Sequence, residues 1–216
     1  MRFTTVIWDL DGTLLNTIDD LRDAVNYVLD RYGYPLRTLQ EMKMFVGSGI
    51  RVMLARAVPG GEENPQFEEM FATFTAYYGA HCQDKTAPYE GVNEVLATLR
   101  RKGCKMAIVT NKIQSAAEEL CHSLFPDVEI VIGDSPDVAK KPAPDGVYKA
   151  MRLLGADPAA TAYVGDSNID VATAENACLP CLAVLWGFRT EEQLLSYGAK
   201  HLFADAESLL AYILGE

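Results

Sequence analysis

Apolar residues along this chain gather in short runs at 5–8, 105–109, 128–132, 162–164 and 182–185, with a weaker run at 201–204. Runs of this length, rich in β-branched residues and bounded by turn formers, predict strands buried on both faces, as in a parallel sheet. Between the later runs the apolar spacing becomes that of helices, over 92–101, 114–124, 146–154 and 169–177. Strand and helix therefore alternate from residue 86 onward. This predicts an α/β fold with a doubly wound, Rossmann-like parallel sheet and right-handed crossovers.

The first strand breaks the rhythm. A long stretch of helical periodicity follows it, with helices expected at 17–31, 39–44, 50–57 and 65–78, divided by Gly33-Tyr34-Pro35, Gly47-Ser48-Gly49 and Pro59-Gly60-Gly61. The pattern predicts a small all-helical domain at 15–85, inserted into a core made of 1–14 and 86–216.

Composition narrows the partners. The 216 residues carry a formal charge of -11, with acidic residues spread along the chain. No basic stripe meets a nucleic acid backbone, so nucleic acid is excluded as a partner. The same negative field repels anionic substrates at long range, so a phosphate site here needs positive charge supplied locally by a metal or a placed lysine. No stretch approaches the ~18 apolar residues of a membrane span, and the first apolar run meets carboxylates at once, unlike a targeting segment. The protein is therefore expected to be cytoplasmic, with no membrane partner. Cysteines at 82, 104, 121, 178 and 181 are odd in number and read as reduced thiols. The C-x-x-C of Cys178 and Cys181 follows a helical stretch and runs into a strand, where redox pairs open a helix, so it reads as buried thiols.

Ligands of open parallel sheets bind beyond the carboxyl ends of the strands. Those ends carry Asp9-Leu10-Asp11-Gly12-Thr13 after the first strand, Thr110-Asn111 after the second, Lys140-Lys141-Pro142 before the third core helix and Gly165-Asp166-Ser167-Asn168-Ile169-Asp170 after the fourth strand. Each alone reads equally as a turn, a cap or a solvated pair. Together they bring carboxylates 9, 11, 166 and 170 to one edge, where they repel unless a cation lies among them, and hard oxygen ligands select Mg2+. Asp9 is then free to attack phosphorus. Asp11 is placed to give a proton to the leaving oxygen and to take one from water. Gly12 allows the turn and exposes backbone N–H groups to phosphate. Lys141 is preferred over Lys140 as the phosphate ligand, because Pro142 fixes the chain beside it.

In this order the four motifs resemble those of haloacid dehalogenase superfamily phosphatases, over the whole chain. Within the superfamily the chain looks most like the phosphoglycolate phosphatases, through Phe45-Val46-Gly47-Ser48-Gly49, Pro88-Tyr89-Glu90-Gly91-Val92 and Trp186-Gly187-Phe188-Arg189. The resemblance implies a magnesium-dependent phosphatase that hydrolyses a small phosphate monoester, 2-phosphoglycolate foremost, through a phospho-aspartate on Asp9 with Asp11 as acid and base. It implies phosphate contacts from Gly12, Thr13, Thr110, Asn111 and Lys141, magnesium on Asp9, the Asp11 carbonyl and Asp166, and Asp170 behind them orienting a water or Lys141. A helical cap closing over the substrate is implied too, and specificity is expected from Gly47, Ser48, Gly49 and Arg51. Asn16 and Cys178 depart from the pattern, which often has an acidic residue and a glycine there. The alternatives are a phosphosugar mutase of the same superfamily and a signalling module phosphorylated on aspartate. The partner expected is a small phosphorylated metabolite, and the sequence does not separate monomer from homodimer.

Overall fold

A computed structural model describes residues 1–216. Contacts divide it into two compact units, Met1–Leu15 with Pro88–Glu216, and Asn16–Ala87.

The larger unit holds a six-stranded parallel sheet. Its strands are β1 (Thr5–Trp8), β4 (Lys105–Ile113), β5 (Ile130–Asp134), β6 (Thr161–Gly165), β7 (Cys181–Val184) and β8 (His201–Phe203), in the order β5-β4-β1-β6-β7-β8. The two-residue strands β2 (Leu15–Asn16) and β3 (Ala87–Pro88) lie where the chain leaves this unit and returns. Helices α5 (Val92–Arg101), α6 (Gln114–Leu124), α7 (Asp145–Leu154), α8 (Asn168–Asn176), α9 (Glu191–Ser196) and α10 (Ala206–Leu214) complete it.

The period-two rule explains why β1 is apolar from Val6 to Trp8. Val6 and Trp8 point into a core shared with Leu96, Leu120 and Leu209, whereas Ile7 points into a second core with Val147, Ala150 and Ala174. β1 pairs with β4 on one side and β6 on the other. The sheet thus diverges at β1, and the crevice for a ligand opens beyond its carboxyl end.

Some boundaries move. The third core strand begins at Ile130, because Val128 turns back to bond its N–H to the Phe125 carbonyl and buries beside α6. β4 runs on to Ile113 through an irregularity: Val109 pairs with Ile132 and Ile113 with Asp134, so four steps of β4 face two of β5. Such bulges re-aim side chains, and Thr110, Asn111 and Lys112 are buried within this one.

The smaller unit holds α1 (Ile18–Arg31), α2 (Leu39–Phe45), α3 (Ile50–Ala57), a 3-10 turn (Gly61–Glu63) and α4 (Phe67–His81). α1 buries Leu21, Val25, Val28 and Leu29 at helical spacing and packs on α4. Asp20 is buried in this unit and accepts from the N–H groups of Lys85 (3.0 Å) and Thr86 (2.8 Å) and from the Thr86 hydroxyl (2.8 Å). It ties the first turn of α1 to the returning segment.

Candidate active site

Asp9 is the residue after β1, and its N–H still bonds the Val164 carbonyl of β6 (2.9 Å). Its carboxylate is therefore delivered by the most central strand. The chain turns at Gly12, whose φ is 95° and whose N–H bonds the Leu15 carbonyl at 2.8 Å. A Cβ at Gly12 would stand 2.5 Å from Asp166 Oδ2, so the turn demands glycine twice, for conformation and for clearance.

Lys141 is brought in by a clasp from β4. The Asn111 amide donates to the Lys141 carbonyl (3.0 Å) and accepts from the Lys141 N–H (2.8 Å). The Lys141 ammonium then lies 2.7 Å from Asp9 Oδ1 and donates to Asp170 Oδ1 (2.7 Å) and the Tyr163 hydroxyl (2.9 Å). Lys140 points elsewhere, pairing with Asp134 at 2.9 Å with its side chain half exposed.

Asp170 is saturated. Oδ1 takes Lys141 and the Tyr163 hydroxyl (3.1 Å), while Oδ2 takes the Ser167 N–H (3.1 Å) and hydroxyl (2.6 Å) in a capping box that starts α8. Asp166 is steered from two sides, by the Thr13 hydroxyl (3.2 Å) and the Phe188 N–H (2.7 Å). Trp186 Nε1 donates to the Thr13 carbonyl (3.0 Å), which pins the loop that carries Phe188. Thr13 and Asn111, expected among the phosphate contacts, thus turn their side chains to Asp166 and to the Lys141 backbone.

Charge in this cluster is unbalanced. Burial, then the nearby Asp170 carboxylate, pushes the Asp9 carboxyl well above its ordinary range against the pull of Lys141. Burial and Asp170 also push Asp166 up to about 7, opposed by the Phe188 N–H and by Arg189. Burial pulls the Lys141 ammonium downward, but Asp170 and Asp9 outweigh it, so the lysine stays charged. Lys141, with Arg189 acting on Asp166, faces three buried carboxylates, which leaves a deficit of positive charge.

Oxygens of Asp9, Asp166 and Asp170 lie within 4.8 Å of one another, which suits a hard divalent cation. Each Asp170 oxygen already takes two donors, whereas each Asp166 oxygen takes one, so Asp9 and Asp166 are the carboxylates that fit such an ion, with the charge deficit as its driving force.

Asp11 lies apart from the triad. Its Oδ1 accepts from the Lys112 ammonium at 3.1 Å, with the lysine side chain 3% exposed and the aspartate 23%. In the helical unit, Gly47 and Gly49 adopt positive φ before α3, with Gly49 at its N-cap. The Arg51 guanidinium is held by Glu62 (3.2 Å) and by Glu68 over the rings of Phe67 and Phe71, so it is already paired.

Two contributors escape a sequence reading. Lys112 looks like an ordinary charge after a strand, and only the bulge in β4 turns it inward. Tyr163 reads as a strand aromatic; the signal available was that a buried tyrosine in a central strand needs a partner for its hydroxyl.

Residues 6–184 match the family model of haloacid dehalogenase-like hydrolases. The chain is 35% identical to a phosphoglycolate phosphatase of Caulobacter vibrioides, covering 93% of this chain and 88% of that protein. It is 36% identical to one of Rhodobacter capsulatus, covering 97% and 96%. A crystal structure from Lactobacillus delbrueckii subsp. bulgaricus, provisionally assigned as a phosphoglycolate phosphatase, superposes with a TM-score of 0.92 at 33% identity over 100% of both chains.

Proposed function

The chain belongs to the haloacid dehalogenase-like hydrolases and is a phosphatase related to the phosphoglycolate phosphatases, and from that premise we propose that it hydrolyses 2-phosphoglycolate, or a monoester of similar size, through a phospho-aspartate on Asp9. The observation that carries this reading is the Lys141 ammonium 2.7 Å from Asp9 Oδ1 at the end of the central strand. It supports an ionised, oriented nucleophile where burial alone favours a neutral acid.

Magnesium held by the Asp9 and Asp166 carboxylates and the Asp11 carbonyl supplies, when bound, the charge that neutralises the cluster and stabilises the transferring phosphoryl group. Thr13 and the Phe188 N–H keep Asp166 turned toward that position. Asp170, through Lys141, keeps Asp9 aligned. Asp9 attacks phosphorus as the bond to the leaving oxygen breaks, and Asp11 gives that oxygen its proton. Water then attacks the phosphorus of the phospho-aspartate. Asp11 takes its proton, and inorganic phosphate and the Asp9 carboxylate are regenerated.

The test is phosphate release from a panel of small monoesters with magnesium, with chelator, and with Asp9→Asn. Turnover of phosphoglycolate should fall at least ~10^3-fold in the variant and disappear in chelator. Activity that survives both defeats the mechanism, whereas a preference for another ester defeats only the substrate.

A further inference from the structure

We infer that Lys112 reads the second anionic group of the substrate, the carboxylate of a phosphoglycolate-like ester; this rests on the phosphatase reading above. A phosphate subsite alone does not separate one monoester from another. A carboxylated leaving group needs a cation on its own side of the phosphorus.

Asp11 defines that side, because a group that protonates the leaving oxygen must come within hydrogen-bond reach of it. The Lys112 ammonium stands 3.1 Å from Asp11 Oδ1. In a glycolate leaving group the carboxyl carbon is joined to the leaving oxygen through a single methylene, so its carboxylate falls beside the same pair of residues.

The fold commits Lys112 to this place. It lies in the β4 bulge, where four steps of strand face two. A lysine this deeply buried is retained beside an anionic partner, and Asp11 is a partner here. Once Asp11 carries the proton that it gives to the leaving oxygen it is neutral, and its hold on Lys112 weakens. A substrate carboxylate can then take up the ammonium, and a neutral leaving group cannot. Arg51 is a poorer candidate, since Glu62 and Glu68 hold it and neither has other work to do.

The experiment measures kcat/KM for phosphoglycolate and for ethyl phosphate, which lacks the carboxylate, in the wild type, Lys112→Met and Lys112→Arg. Taking the ratio of the two substrates within one preparation removes the fraction of folded enzyme from the result. The wild type should prefer phosphoglycolate, and Lys112→Met should shrink that preference roughly 10- to 100-fold, mostly through KM, as loss of a charged hydrogen bond dictates. Lys112→Arg should recover part of it. Equal losses on both esters would show that Lys112 only steadies Asp11 and would overturn the inference, as would a wild type without preference. If the wild type ignores phosphoglycolate yet prefers another carboxylated monoester, and Lys112→Met abolishes that preference, the substrate assignment falls and Lys112 keeps its role.

Discussion

The sheet edge around Asp9 and the surface of the helical unit both carry many charged groups, but they use them differently. At the sheet edge, partners come from distant parts of the chain: Thr13 and Asp166 are 153 residues apart, and Lys112 and Asp11 are 101 apart. Thr13, Asp166 and Lys112 are buried and Asp11 is partly so, and folding itself sets their geometry. In the helical unit, pairs such as Arg22–Asp19 and His81–Asp84 sit three residues apart and are partly or largely exposed. Exposed pairs of that kind hold little energy. The difference separates a preorganised acidic cluster from a surface free to vary.

The comparison is tested most severely at Asp170. Asp170→Asn keeps the shape but removes the charge that anchors Lys141, and kcat should fall about 10- to 100-fold. A loss below twofold would mean that Lys141 needs no anchor.

The charge deficit offers a second test. Asp9 and Asp166 hold their protons more tightly in the folded protein than in the unfolded chain, Asp166 at about 7. Without metal, the Asp166 contribution to stability is therefore complete below the ordinary carboxylate range and is lost as pH rises through about 7, and Asp9 acts in the same direction. In chelator the melting temperature should drop by roughly 5–10 °C between pH 5 and pH 8, and saturating magnesium should remove most of that drop. Superimposable curves with and without magnesium would contradict a cation at these carboxylates.

Within the helical unit the contrast can be drawn between two charges. Asp20→Ala strips a buried acceptor from two N–H groups and a hydroxyl and should cost about 2–3 kcal/mol in thermal or chemical unfolding. Arg51→Gln, at an exposed pair, should cost under ~1 kcal/mol. Equal costs would erase the distinction.

The smallest expected effect is at Cys178. Exposed rather than buried as its sequence setting suggests, it ends α8 at a φ of 56°, in the left-handed region where a side chain is strained. Cys178→Gly relieves that strain, less the greater flexibility of glycine in the unfolded chain, and should stabilise the protein by ~0.5 kcal/mol.

Much of this was readable in the sequence. The apolar runs announced β1, β4, β6 and β7 because strands covered on both faces are built mainly of apolar residues, and the carboxylates stood out because they follow those runs directly. Helix α10 went unread, although Asp205 caps its start and Gly215 its end. What a linear reading misses is direction. Asn111 and Thr13 were legible as residues of the site, but the turn of their side chains toward Lys141 and Asp166 depends on contacts 30 and 153 residues away. Lys112 depends on a bulge, which shows only when β4 is laid against β5.

The glycines around the acidic cluster have a practical corollary for redesign. A methyl group at Gly12, Gly165 or Gly187 would come within 2.6 Å of the Asp166 or Asp170 side chain. A library that randomises these positions to broaden substrate range would mostly return inactive clones. One that holds them constant and varies the residues around Lys112 would spend its diversity where leaving groups are told apart.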